Sequence, residues 1–86
     1  MTCRIDRLPH ERGVVLRVSG RIAVDDLDIL RAVLDERGVV AINLAEVELV
    51  DRDVVMFLAT GESSGIELKH CPAFIREWIT RERDRN

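Results

Sequence analysis

Apolar residues recur along this chain with two different periods, and the alternation between them predicts its elements. Cys3, Ile5 and Leu8, separated by Arg4, Asp6 and Arg7, predict an edge strand with one wet face over Met1 to Leu8. Pro9 to Gly13 reads as a turn. Gly13 to Ser19 follows as a second strand with Val14, Leu16 and Val18 on one face, so the first two strands form an antiparallel hairpin. After a crossing loop over Gly20 to Val24 the period changes. Leu27, Leu30, Val33 and Leu34, with Ile29 at the margin, make the apolar stripe of a helix that Asp25 or Asp26 caps and Gly38 stops.

The stretch from Val39 to Ala59 is the organising one. Val39-Val40-Ala41-Ile42 is short and apolar enough for a buried strand. A connecting loop carries Val47 and Leu49-Val50 as anchors. A second helix then opens at Asp51-Arg52-Asp53 and runs to about Thr60-Gly61, with Val54, Val55 and Leu58 facing the sheet. Asp51 suits an N-cap, and Asp53 falls in the first turn, where the helix dipole favours negative charge. Beyond a surface loop at Glu62 to Gly65, Ile66 to His70 predicts a short strand. Pro72 opens a third helix with the seam Phe74, Ile75, Trp78 and Ile79. Arg76, Arg81, Arg83 and Arg85 read as a solvated helix face, and residues 83–86 as a frayed tail.

The expected fold is therefore a small α/β domain in the order β-β-α-β-α-β-α. Its mixed four-stranded sheet has the first strand antiparallel, the rest parallel, and helices mainly on one face. With 86 residues the chain makes one domain, 1–86. A net charge of −3 with no separate basic stripe argues against nucleic acid. The longest apolar runs fall well short of a membrane span and no signal-peptide core opens the chain, so direct membrane insertion is not expected and a cytoplasmic location is. Two cysteines make no disulfide framework.

Candidate chemistry is sparse. Cys71 precedes a helix N-terminus, an environment that lowers a thiol pKa, yet the only nearby histidine, His70, would point to the opposite face of its strand. A packed, inert Cys71 is the expectation, and a small thiol or redox protein the alternative. Cys3, His10, His70 and Cys71 lack metal-ligand spacing, and no phosphate loop or nucleophile elbow is present, so no cofactor, metal or catalytic set is expected.

One resemblance covers about Cys3 to Trp78. A strand ends in Ser19-Gly20-Arg21, and a helix is entered through acidic residues. An apolar strand leads to Asn43-Leu44, then come Val47, Leu49-Val50, and Asp51 opening a helix. The chain in these features resembles a STAS domain, the family of sulfate-transporter and anti-sigma-factor-antagonist domains. That resemblance implies a non-catalytic protein-interaction module of bacterial signalling or transcriptional regulation, with an anti-sigma-factor or kinase-like regulator as protein partner. A cytoplasmic accessory subunit of a membrane transporter is the second reading within the family. Family members usually open this helix with Asp-Ser-Ser-Gly and are switched by phosphorylation of a serine there. Here the positions read Asp51-Arg52-Asp53-Val54, which keeps the first Asp and loses both serines and the glycine. The resemblance thus implies a docking surface at Asp51, Arg52 and Asp53 without a phosphorylation switch. Asp53 is either a fixed negative charge standing near the phosphate position or simply a helix-start residue. Oligomeric state is not legible.

Overall fold

In a computed structural model of the chain, residues 3–85 are described; Met1 and Thr2, expected to begin the first strand, and Asn86, expected in the tail, lie outside them. The elements are β1 (Cys3–His10), β2 (Gly13–Ile22), a 3-10 turn (Val24–Asp26), α1 (Leu27–Leu34), β3 (Val39–Val50), α2 (Arg52–Ser63), β4 (Glu67–Lys69) and α3 (Ala73–Asp84). The sheet order is β1-β2-β3-β4, with β1 antiparallel to β2 and the other neighbours parallel. The expected α/β architecture is the one observed.

Helices cover one face. Leu27 and Leu30 of α1, Val54, Val55 and Leu58 of α2, and Ile75 and Ile79 of α3 share a single core with Val18, Ile22, Ile42, Leu44 and Leu68 of the strands. Side chains alternate along a strand, so the registers assign Arg4, Asp6, Arg17, Asn43, Glu67 and Lys69 to the opposite face. On that face Leu8, Val15 and Ala41 lie in one row across three strands, and the ladder neighbours shield Val15 and Ala41.

Several boundaries differ from expectation, each for a local reason. β1 continues through Pro9 to His10, and only Glu11 and Arg12 form the turn. Proline is admitted here because β1 is an edge strand. Gly13 is required after the turn: with φ at +148° it approaches so closely that a Cβ would overlap the Gly38 carbonyl. β2 does not end at Ser19. Gly20, with φ at +86°, lets the chain pass an irregularity in the β2–β3 ladder and pair on to Ile22.

The expected loop after Ile42 is strand. β3 runs 12 residues and shifts register against β2 between Val14 and Val15, Arg17 and Ser19, and Gly20 and Arg21. Each irregularity rotates the side-chain alternation. Leu44, Val47 and Val50 are therefore all buried at a spacing of three, which no regular strand produces. α2 likewise outlasts its expected end, carrying Gly61 and Glu62 inside the helix; Gly61 is buried facing Leu34 of α1.

Pro72 is the N-cap of α3 rather than its first helical residue, and Phe74, expected to face the sheet, is 42% exposed. Ile75 and Ile79 fill the seam and Trp78 packs at its margin. Arg83 and Asp84, expected in the frayed tail, belong to α3, and the Arg83 guanidinium donates to the Ala59 carbonyl at 3.1 Å.

Candidate functional site

The three consecutive residues Asp51, Arg52 and Asp53 are all exposed at the start of α2, and the structure sends them three ways. Asp51 is the N-cap residue by position, with extended φ and ψ, but its carboxylate makes no bond to its own helix. Instead Oδ2 accepts the Val24 N–H at 2.9 Å, while the Asp51 N–H donates to the Ile22 carbonyl at 3.2 Å. The residue fastens the start of α2 to the end of β2 and to the 3-10 turn. A similar substitution of roles occurs at the first helix. Neither Asp25 nor Asp26 caps it as an N-cap would; Asp26 reaches back from the third position of the 3-10 turn and accepts the Ala23 N–H at 2.9 Å.

Arg52 turns away from the groove toward α3. Its guanidinium donates to Glu82 Oε1 at 3.1 Å, and this bond holds the Glu82 carboxyl below its ordinary range. The pair is asymmetric, with the Glu82 side chain 8% exposed and that of Arg52 62% exposed.

Asp53 makes no hydrogen bond or ion pair among the described residues. It lines an open groove of about 510 Å³ between α1 and α2. One wall is Val24, Leu27, Asp28 and Arg31; the other is Asp53, Met56, Phe57 and Thr60. Both walls repeat the same spacing of three, one and three residues, which gathers each set on one helical face. Val24 and Met56 are apolar and exposed, so the groove sets hydrophobic side chains beside the charged Asp28, Arg31 and Asp53. Arg31 answers Asp28 at 3.8 Å and leaves the Asp53 charge without a counterpart. Met56 and Val24 were absent from the sequence-level site; the shared spacing of Asp53, Met56, Phe57 and Thr60 is the signal that could have found them.

A second polar cluster joins α2 to α3. Glu62 accepts two bonds from the Arg76 guanidinium, at 2.9 and 2.8 Å, and lies 3.1 Å from Arg83. The Arg76 bonds, followed by the charges of Arg76 and Arg83, hold its carboxyl below the usual value. Arg76 and Arg83 are thus tied to α2 while their side chains stay partly open to water. Their separation of seven residues, two helical turns, carried that information.

Cys71 is half-buried rather than buried. Its thiol donates to the Pro72 carbonyl at 3.7 Å, and burial pushes its pKa up, with the Arg76 charge opposing. An activated nucleophile needs the opposite shift. His70 stands just beyond β4 with φ at +52° and makes no hydrogen bond to the thiol. Cys3 is buried and its thiol is also raised, by burial and then by Asp26. No helix among the described residues is long and apolar enough to cross a membrane. Set against known proteins, the chain matches no family model, no curated protein and no solved structure.

Proposed function

We propose that the chain is a non-catalytic protein-interaction module of the STAS kind, resembling an anti-sigma-factor antagonist without a serine switch and serving bacterial signalling or transcriptional regulation. Its partner, an anti-sigma-factor or kinase-like regulator, docks in the α1–α2 groove. The observation that carries this reading is the isolation of Asp53. Its two neighbours are engaged in bonds within the domain, while Asp53 has no ion-pair partner among the described residues and stands beside exposed Val24 and Met56. A groove of this make complements a protein surface that presents an apolar side chain next to a lysine or arginine. The element order and the mixed sheet support the family reading alongside it.

The test begins with co-purification from the native host and identification of the bound protein by mass spectrometry. Titration calorimetry on variants follows. Asp53→Lys weakens binding at least about tenfold, since like charges across an interface are strongly unfavourable. Its folding changes only by the lost helix-dipole interaction, about 0.3–1 kcal/mol. Arg52→Glu sets a like charge against Glu82 and acts first on stability. Asp53→Ser does not create a kinase-responsive switch, because Arg52 and Val54 also depart from the motif. If Asp53→Lys binds the isolated partner as tightly as the parent chain, the docking surface lies elsewhere.

A further inference from the structure

The two edges of the sheet are unlike. β4 is three residues long and flanks Leu68 with Glu67 and Lys69, a protected edge. β1 is eight residues long, pairs with β2 in an unbroken register, and among the described residues has no strand on its outer side. Pro9 reports which backbone groups face that side. Proline lacks an N–H and is accommodated in an edge strand where that position points outward. Residues two apart share the orientation, so Cys3, Ile5 and Arg7 also direct N–H and C=O away from β2. The two-residue turn at Glu11-Arg12 agrees, since it closes on the pair His10–Gly13, of the opposite parity.

We infer that β1 pairs with β1 of a second copy of this chain, antiparallel and centred on Ile5, joining two sheets into one. In that register Ile5 lies opposite Ile5, and Cys3 opposite Arg7, so each of these outward-facing pairs can exchange backbone hydrogen bonds. The residues between them carry the choice. Arg4 falls opposite Asp6 of the second copy, and Asp6 opposite its Arg4, at the pairs where antiparallel side chains are closest. Within one chain Arg4 and Asp6 are 3.3 Å apart on the uncovered face, with the Arg4 side chain 77% exposed and open to a second carboxylate. The adjacent register, centred on Asp6, sets Asp6 against itself and places donorless Pro9 opposite Cys3. On the helical face a cleft of about 300 Å³ between β1 and α1 is lined by Cys3, Ile5, Val33 and Ile29, which is 55% exposed, together with the charged Arg7 and Asp26. The pairing brings the two copies' clefts to the same face on either side of the axis.

The test is sedimentation equilibrium on the full chain and three variants, each checked for folding by its thermal melt. The parent self-associates to a dimer. Arg4→Asp raises the dimer dissociation constant at least about tenfold, because each copy then opposes two carboxylates, and Asp6→Arg does the same with two guanidiniums. The double variant Arg4→Asp/Asp6→Arg restores opposite charges and returns toward the parent. Asp6 also meets Arg17 at 3.3 Å, so Arg4→Asp is the cleaner single change if Asp6→Arg folds poorly. Amide exchange provides the independent readout: Ile5 and Arg7 slow with rising concentration in the parent and not in Arg4→Asp. A parent that stays monomeric at NMR concentrations overturns the inference. So does a double variant that folds but associates no better than the singles, or a dimer whose Ile5 and Arg7 amides exchange as freely as in the monomer.

Discussion

The two flanks of α2 are built from opposite materials. Toward α3 the rim is ionic: Arg52 meets Glu82, and Glu62 receives Arg76 and Arg83. Toward α1 the rim holds Asp53 without a counter-ion beside exposed Met56 and Val24. Beneath both rims lies the same apolar core, so the contrast is confined to what meets water. One flank satisfies its charges internally. The other leaves an acid and two hydrophobes unanswered, which costs little stability and gives a surface something to recognise.

Truncating the shared core tests the claim that the flanks differ only at their rims. Leu30→Ala on the α1 side and Ile79→Ala on the α3 side should each cost about 2–5 kcal/mol in chemical denaturation. That is a large fraction of the stability of a domain this small. A Leu30→Ala chain as stable as the parent would mean that α1 is not anchored in the core, and the comparison would fail at its base.

Acid separates the rims next. The Glu62 carboxyl is held below its ordinary value of 4.5 chiefly by the Arg76 bonds. A carboxyl lowered by folding contributes stability that is present above the unfolded value and lost as pH falls through the folded one. Melting temperature should therefore hold from neutrality to about pH 4.5 and drop below it, and Glu62→Gln should flatten that drop. At neutral pH Glu62→Gln should cost about 1 kcal/mol, a modest figure because Arg76 is partly open to water and screened.

The smallest expected effect is at Cys71, beside the ionic rim. Its raised thiol pKa predicts slow modification of the native protein by a thiol reagent at neutral pH. Glu62 helps raise it and Arg76 opposes, so Glu62→Gln should quicken the reaction modestly. Rapid modification of the parent would show a thiol environment other than the one described.

The hairpin, the three helices and the strand directions were legible because their apolar periods are regular. Leu27, Leu30 and Val33 keep a helical spacing, and Val14 to Val18 a strand spacing, whatever lies around them. β3 defeated the same reasoning beyond Ile42, since irregular pairing with β2 respaced its inward residues to threes. Gly61 misled in the other direction: its weak helix propensity marked an end, but contact with Leu34 in the core outweighs that local preference. At the candidate site the positions of Asp51, Arg52 and Asp53 were readable and their partners were not. The fold brings Val24 to Asp51 from 27 residues away and Glu82 to Arg52 from 30. No local pattern carries such distances. Asp51 has the right residue type and the right backbone for an N-cap, and it spends its carboxylate on another segment.

That diverted carboxylate has a kinetic consequence. Through its side chain and its own N–H, Asp51 locks Val24 and Ile22 to the first turn of α2, so the two walls of the groove share one frame before anything arrives. A ligand meeting this groove orders almost nothing in the domain, and the entropy usually lost in assembling a site on binding is largely spared. Association then proceeds without a conformational gate, and differences in affinity among ligands appear as differences in residence time. Asp51→Ala removes the latch while leaving Asp53 in place. Its signature is a slower, temperature-sensitive approach to the bound state.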